Sequence, residues 1–491
     1  MGGFSSVFSS KGVVRRRMTV SVASLETDAV AVPWWSLTSQ VRVGAQTAMV
    51  EPALATTPKR TAKPAPRWPA RSGLCGRESI FQTLKQRMLV SADLFGIGWF
   101  QLVGHANLWS LRGGSVQDNH VMIVGPGQIV TAALHLLTQR SDAPRVTLAG
   151  RDAERLIRQT SLAIMVATQL GFNPRVDYRL VEVEDVDRTS ETVSEVNPDI
   201  ILTAVCRQPM WALSALPSTI RVELESADTG PWLPMHLVPL HRLMLAVRAS
   251  GMDPMVLNAA MPDVTHAILG KVGLAPTAGI GSIANVIPAI RHAAAAQLAI
   301  SHRRVEIRAV MESLVSRWIS SGGDAEEIPY YLAVLADDMD VTSDVDVPAI
   351  LRAVSTTYRR PRGAAGSALT AASAVAGIEA LTDSEPHFVH LPGPSALVGG
   401  YPTTVGRAGL SIRLPAGVTA DSARRLNEEA LRLTGIEEIR QDGSVRYCDA
   451  HMAVMRRVFG YYVTDMTVGD SAACADELGR RYDALRGKLA V

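Results

Sequence analysis

The apolar and polar positions between residues 121 and 260 follow two alternating patterns. Short apolar runs, which are typical of buried strands, cover 121–124, 145–149, 178–183, 199–205 and 255–260. Between these runs apolar residues recur every three or four positions, which predicts helices over 129–137, 153–171, 188–196 and 237–250. Strands that alternate with helices predict an α/β fold with a doubly wound parallel sheet of Rossmann type.

The pattern changes after about residue 282. Helical periodicity predicts longer helices over 287–300, 305–320, 366–381, 420–433, 450–459 and 472–489. From His387 onwards short alternating runs indicate strands. Asp442-Gly443 predicts a hairpin turn between 436–439 and 445–447, because both central positions of such a turn accept positive φ. We therefore predict an α+β C-terminal domain that binds substrate or forms an oligomer.

These patterns divide the chain into three parts, residues 1–118, 119–285 and 286–491. The first part has five of the eight tryptophans but only six acidic residues, and its periodicity is poor. Three interpretations are open for it: a cleaved transit-like segment, a loose myristoylation pattern at Met1-Gly2, or upstream sequence translated from a start codon assigned too early. We favour the last and expect a poorly ordered extension.

The composition narrows the class of protein. A chain of 491 residues fits roughly two to four domains, and 47% apolar residues are enough for large cores. The formal net charge of +2 gives no global field that would attract nucleic acid. Four widely spaced cysteines favour a reduced, cytoplasmic protein, and no apolar run reaches the length of about 18 residues that a membrane span needs. We further expect a small-molecule substrate, a homo-oligomer and no metal.

Two glycines follow the first predicted strand. The run 121–124 leads into Gly125-Pro126-Gly127, and a predicted helix begins at once. Gly125 permits a tight turn, and Gly127 lets a diphosphate approach the backbone at the positive end of the helix. The GxGxxG fingerprint is incomplete, because Val130 stands at its third small position. The residues predicted to bind a dinucleotide here are Gly125, Gly127, Gln128 and Ile129.

The end of the second predicted strand indicates which dinucleotide is bound. NAD sites usually have an acidic residue there for the ribose 2′-hydroxyl, whereas NADP sites use arginine for the 2′-phosphate. Here the strand ends at Ala149-Gly150, followed by Arg151 and Asp152, with Arg155 one helical turn further on. We favour NADP bound by Arg151, and Asp152 keeps NAD possible.

Candidate catalytic residues follow the strands on the same side of the predicted sheet. Transfer of a hydride to a carbonyl needs a proton donor, and a cation is needed for any substrate carboxylate. His236 precedes a helix on the cofactor side and is the favoured donor, with His241 as the alternative. Arg207 follows the strand 199–205 and is positioned to bind a carboxylate in a bidentate manner.

Two segments resemble known families. Residues 256–285, VLNAAMPDVTHAILGKVGLAPTAGIGSIAN, resemble the part of lactate and malate dehydrogenases where a strand ends in an asparagine-containing turn and a glycine-rich strand follows. Residues 146–156, VTLAGRDAERL, resemble the NADP-binding start of saccharopine-dehydrogenase-like reductases. The resemblance implies a distant lactate/malate-dehydrogenase-like NAD(P) oxidoreductase. It also implies that Asn258 contacts nicotinamide or substrate.

The chain departs from these dehydrogenases at the positions that do their chemistry. The family has an aspartate with an arginine three residues on, where this chain has Asn285 and Pro288. The family's catalytic histidine would fall at Met311-Glu312. We therefore expect an NADP(H)-dependent enzyme acting on a small oxo or hydroxy acid. Opine- or saccharopine-type reductive amination and a catalytically inactive dinucleotide sensor or scaffold are the alternatives.

Overall fold

The computed structural model describes residues 119–361, 363–406 and 409–489. The expectation for the N-terminal extension, residues 1–118, lies outside them. The described residues belong to one compact unit. The boundary predicted between residues 285 and 286 stays a prediction.

Six parallel strands form the central sheet, namely β1 His120–Val124, β2 Arg145–Gly150, β3 Arg175–Leu180, β4 Ile200–Thr203, β5 Met255–Asn258 and β6 Ala278–Gly279. Their order across the sheet is β3-β2-β1-β4-β5-β6. Val, Ile and Leu make up most of the inner strands β1, β4 and β5, because helices cover both faces of the sheet there. This order is that of a Rossmann sheet, so the predicted fold class is confirmed.

Helices cover both faces of this sheet, namely α1 Gln128–Thr138, α2 Ala153–Gln169, α3 Val186–Val196, α4 Ser218–Glu225, α5 Leu233–Ala249 and α6 Pro262–Lys271. One core contains the apolar residues of β1 and β2 that face α1, and another contains those that face α3 and α5. The helix α5 runs over its full length despite the internal Pro239, whereas Pro234 lies in its first turn, where proline is tolerated.

The rest of the chain is α+β, as predicted. Three small antiparallel sheets have the strand orders β7-β8-β9, β10-β11-β12 and β13-β14-β15. The strands are β7 Val305–Val310, β8 Tyr331–Ala336, β9 Met339–Asp340, β10 His387–Pro392, β11 Gly400–Gly406, β12 Gly409–Ile412, β13 Ile436–Ile439, β14 Val445–Tyr447 and β15 Asp465–Met466. The helices are α7 Ile287–Gln297, α8 Ser313–Ser321, α9 Val347–Ala353, α10 Ser367–Thr382, α11 Ala420–Leu433, α12 Asp449–Phe459 and α13 Ser471–Leu489.

The helix predicted over 305–320 was wrong in its first half. Residues 305–310 form β7, in which Val305, Ile307 and Ala309 are buried and the residues between them are half-buried. This period of two is that of a strand, and only α8 after Glu312 has the helical period. By contrast, the hairpin predicted at Asp442-Gly443 is present, with Gly443 at φ +79°.

Helix α10 returns the chain to the central sheet and packs beside α1. Its buried residues Ala371 and Ala374 share a core with Ile123 of β1 and Leu257 of β5. Arg140, just after the end of α1, forms an ion pair with Glu379 in the last turn of α10. The two helices therefore run in the same direction, and their N-terminal ends lie at the same edge of the sheet.

The core against α1 generates a stability prediction. Leu134 is fully buried there, whereas Leu136 on the same helix is 40% exposed. We expect Leu134→Ala to lower the free energy of unfolding by about 2–5 kcal/mol, because it leaves a cavity among close-packed side chains. The matched control Leu136→Ala should change it by only about 0.5 kcal/mol. Urea denaturation followed by circular dichroism measures both, and equal losses would contradict this assignment of the core.

Candidate functional site

A cleft of about 1150 Å³ opens at the carboxyl ends of the central strands. Ligands of open α/β sheets bind at this edge, outside the ends of the strands. One wall consists of the segments that follow β1 to β5, and the opposite wall comes from α8 and from the segment that leads into α10. Most of the predicted site residues line the cleft, namely Gly125, Gly127, Gln128, Ile129, Arg151, Arg207 and His236.

The glycine turn after β1 has the geometry that its sequence predicts. Gly125 has φ +85°, and a Cβ there would lie 2.7 Å from Cγ1 of Val205. Both the backbone conformation and this contact therefore exclude a side chain. Gly127 begins α1, and no atom lies within 4 Å of where its Cβ would be. No side chain caps α1 and its first turn has no acidic residue. The positive end of this helix is therefore open to the cleft.

Arginines line the cleft where β2 ends. The side chain of Arg151 is 81% exposed, and its nearest acidic partner is Glu182, 3.8 Å away. Arg155 follows one turn later in α2 and also lines the cleft. The carboxylate of Asp152 accepts a hydrogen bond of 3.0 Å from the backbone N–H of Arg155 and caps α2. Asp152 and Glu182 line the cleft as well, so charges of both signs are present where β2 ends, and one oxygen of Asp152 is occupied by the cap of α2.

Arg207 is not arranged as the predicted carboxylate ligand. Its Nε and Nη2 donate to Glu184 at 2.8 and 2.5 Å, and its Nη1 donates to Asp476 at 2.6 Å. Two carboxylates already satisfy the guanidinium, so its charge is neutralised within the protein. The ion pairs tie the segment after β4 to α13. Asp476 lies 269 positions after Arg207 in the sequence, so this ion pair could not be predicted from sequence spacing.

Asn258 is also arranged differently from its predicted role. It is fully buried at the end of β5 and does not line the cleft. Its Oδ1 accepts from the backbone N–H of Ala260 at 2.8 Å, and its Nδ2 donates to the carbonyl of Ala260 at 3.1 Å. Nδ2 also lies 3.2 Å from Nε2 of the buried His266. Asn258 therefore stabilises the turn between β5 and α6 instead of facing a ligand.

His236 is buried in the cleft wall, on α5, with 6% of its surface exposed. Neither ring nitrogen has a hydrogen-bond partner among the described residues. Burial lowers the pKa of His236 to about 4, so its imidazole is neutral at pH 7. Both nitrogens have almost no accessible surface, and leaving such buried polar groups unpaired is costly. The alternative donor His241 is half-buried and is not part of the cleft lining.

Arg317 on α8 lines the opposite wall, and sequence analysis did not identify it. Its Nη2 and Nη1 donate to Asp228 at 2.8 and 3.3 Å. Behind it lie the buried carboxyl groups of Asp263 and Glu312. Burial raises the pKa of both carboxyl groups, and the charge of Glu312 raises the pKa of Asp263 further. Arg317 is thus held by internal acidic groups, and no short motif predicts such a cluster.

The remaining residues of the opposite wall are mainly polar residues and glycines. It contains Ser320 and Ser321 at the end of α8, Arg360, and the start of α10. Arg360 donates from Nη2 to the hydroxyl of Ser320 at 3.4 Å. A 3-10 turn, Gly363–Gly366, leads directly into α10. The helix α10 was predicted from its periodicity. Its position beside the glycine turn could not be predicted, because Ser367 and Gly127 are more than 200 positions apart in the sequence.

Within residues 119–361, 363–406 and 409–489, no helix is long and apolar enough to cross a membrane. No group of three or more histidine, cysteine, aspartate and glutamate side chains there is close enough to ligate a metal ion.

The buried imidazoles generate a pH prediction. Because the pKa of His236 is lowered from 6.5 to about 4, the unfolded chain binds a proton between these values and the folded chain does not. The free energy of unfolding therefore has its full value above pH 6.5 and falls as the pH decreases toward 4. In His236→Gln we expect the loss of unfolding free energy on acidification to be smaller than in the wild-type chain, by on the order of 3 kcal/mol. Urea denaturation of both proteins at pH 7, 5.5 and 4.5 measures it, and identical pH dependence would contradict the assignment.

No protein-family model matches the chain, and no curated protein matches it. Solved structures that are similar to it include malate and lactate dehydrogenases, the family that two segments of the sequence resemble. Malate dehydrogenase from Plasmodium falciparum in complex with NADH is 11% identical, with a TM-score of 0.41 over 75% of this chain and 99% of that one. Lactate dehydrogenase from Eimeria maxima is 12% identical, with a TM-score of 0.44 over 64% of this chain and 92% of that one. Malate dehydrogenase from Aeropyrum pernix is 16% identical, with a TM-score of 0.41 over 64% of this chain and 96% of that one. At these values the likeness carries no argument on substrate or activity.

Proposed function

We propose that this chain is an NADP(H)-dependent oxidoreductase acting on a small oxo or hydroxy acid. The observation that carries the proposal is the uncapped N-terminal end of α1, which meets an open glycine turn at the carboxyl edge of a Rossmann sheet. Free backbone N–H groups and the helix dipole favour a diphosphate at such a point. Gly127 leaves the space in which that group would contact the backbone, next to Gln128 and Ile129.

The charges at the end of β2 support NADP over NAD. A 2′-phosphate would lie beside Arg151 and Arg155, which both line the cleft. The acidic residue that an NAD site would offer to the ribose is Asp152, and one of its oxygens already caps α2. Glu182 lies near Arg151, but at 3.8 Å and with both side chains exposed this pair is weak.

The reacting end of the cofactor would lie near His236, further along the same wall. The nicotinamide group supplies or accepts the hydride when bound. The protein then needs to orient the substrate oxygen and exclude water. A neutral, buried imidazole performs the first task by donating a hydrogen bond to that oxygen from one ring nitrogen. At pH 7 His236 is thus a hydrogen-bond donor rather than a cationic acid.

A dinucleotide sensor or scaffold is the second candidate. It is favoured by a specific observation: no imidazole–carboxylate pair lines the cleft among the described residues, so the usual support for a proton donor is missing. Absorbance at the nicotinamide band separates the candidates. Turnover of NADPH with 2-oxo acids alone supports the first proposal, and turnover only with added amines supports reductive amination. Tight binding without turnover supports the sensor.

Gly127→Val tests the diphosphate site. The position has φ −78° and open surroundings, so valine should fold normally while its side chain enters the space of the ligand. We expect NADPH affinity, measured by calorimetry, to fall at least about hundredfold, because the lost contacts are hydrogen bonds to a charged group. Gly487→Val is the control, since Gly487 also has no atom near its Cβ position but lies at the C-terminal helix α13. Unchanged NADPH affinity in Gly127→Val would contradict the proposal.

Arg151→Glu tests the choice of coenzyme. Reversing this charge should weaken NADPH about tenfold to hundredfold and NADH by no more than about threefold, because only NADPH has the 2′-phosphate. Arg158→Glu, on the helix α2 that follows Arg151, is the control, since Arg158 is exposed but does not line the cleft. Both affinities can be measured by calorimetry at fixed ionic strength. Equal losses for the two coenzymes would show that Arg151 does not contact the 2′-phosphate.

A further inference from the structure

One large aromatic side chain of the cleft has no role in the contacts described so far. Trp211 lines the cleft and is 56% exposed. No other large apolar residue in the described part of the lining is exposed in this way. Among the described residues, no aromatic ring or cation lies against its indole, and the indole N–H has no hydrogen-bond partner. An exposed indole offers a broad flat surface for stacking against a planar ring.

The position of this indole is fixed by the short 3-10 helix that carries it, Met210–Ala215. Residues three apart share a face of such a helix, and Met210 and Leu213 pack against the apolar core. The carbonyl of Ala212 accepts a hydrogen bond of 2.9 Å from the hydroxyl of Tyr482 on α13. The indole, which is on a different face from the two core-packed side chains, is therefore held at the cleft by an anchored element.

A series of contacts joins this helix to the part of the cleft proposed for the 2′-phosphate. Arg151, after β2, has its acidic partner Glu182 in the segment after β3. Two residues further along that segment, Glu184 accepts hydrogen bonds of 2.8 and 2.5 Å from Arg207, after β4. Trp211 follows Arg207 by four residues. The segment that carries the indole therefore lies on the side of the cleft that contains Arg151.

The chemistry of NADP(H) places adenine on this same side. Its 2′-phosphate and its adenine are attached to one ribose, whereas nicotinamide is at the opposite end of the molecule. A 2′-phosphate beside Arg151 thus brings the adenine ring toward the segments after β3 and β4. Val181 and Val183 of the first of these segments also line the cleft and add apolar surface. Stacking on an aromatic side chain binds a base through its π face and needs no hydrogen bond to its edge.

We propose that Trp211 binds the coenzyme by stacking on its adenine ring. This inference rests on the proposed function and adds a binding residue at the adenosine end of the same site. Stacking does not depend on the 2′-phosphate, so Trp211 contributes to the affinity for NADPH and for NADH alike. Arg151 then selects between the two coenzymes, and Trp211 raises the affinity for both.

The test titrates the full chain by calorimetry with NADPH and with adenosine 2′,5′-bisphosphate, which has the adenosine end but no nicotinamide. Trp211→Leu removes the ring, and Trp211→Phe keeps an aromatic ring. Trp318→Leu is the control, since Trp318 is 37% exposed on α8 but does not line the cleft. We expect Trp211→Leu to weaken both ligands by a similar factor of about tenfold or more, and Trp211→Phe by no more than about threefold. Trp318→Leu should leave both affinities unchanged.

Tryptophan fluorescence gives a second readout that a purely structural role of Trp211 would not produce. Adenosine 2′,5′-bisphosphate does not absorb at wavelengths that excite tryptophan selectively, so it changes the emission only through its effect on an indole. We expect the probe to lower the emission of the wild-type chain and of Trp318→Leu. In Trp211→Phe the probe should still bind, but the emission should stay constant.

The outcomes separate this inference from the proposed function. If NADPH binds and Trp211→Leu changes neither affinity, the inference is wrong and the coenzyme proposal stands. If Trp211→Leu weakens NADPH but not adenosine 2′,5′-bisphosphate, the indole contacts the nicotinamide end and the inference is also wrong. If the expected pattern appears without turnover of any substrate, the stacking contact stands and the oxidoreductase proposal fails. If the wild-type chain binds neither ligand, both proposals are wrong.

Discussion

The start of α1 at the carboxyl edge of the sheet carries positive potential that no side chain of the described residues caps, and the functional interpretation of the cleft depends on this electrostatic constraint. At five other helix starts the chain supplies a carboxylate or hydroxyl, as Asp152 does for α2 and Thr419 does for α11. At α1 it supplies glycine instead. Because this helix points at the cleft, its free N–H groups are directed there, and an anionic ligand is the natural complement.

The charged side chains of the cleft divide into two kinds. Arg207 and Arg317 are bound by carboxylates of the protein and act as structural ties, the first between β4 and α13 and the second between α8 and Asp228. Arg151 is exposed, and its carboxylate partner Glu182, 3.8 Å away, is exposed as well, so this ion pair is weak. This division explains why a basic residue near a strand end is weak evidence for ligand binding until its partners are known. The pairing, and not the residue type, decides which arginine faces a ligand.

Local signals in the sequence were enough to predict the central sheet and the glycine turn. Buried strands of Val, Ile and Leu, glycine at positive φ and helical periods are properties of short segments, so the placement of Gly125, Gly127 and Arg151 at the edge of the sheet could be predicted from sequence. The strand β7 was missed because its alternation of two is brief and runs directly into α8. The contacts of Arg207 and Asn258 within the protein could not be predicted, since Asp476 is distant from Arg207 in the sequence and the burial of His266 beside Asn258 depends on packing. The second wall of the cleft depends on long-range packing of α10 on α1, which no local pattern encodes.

Calorimetric titration of the full chain with NADPH, followed by NADH, tests the central claim most directly. The account predicts saturable binding of one NADPH per chain, with affinity that falls as salt is added because the contacts are ionic. NADH should bind more weakly at the same site. If neither coenzyme produces a binding isotherm, the open end of α1 is not a diphosphate site, and the functional interpretation of the cleft is wrong.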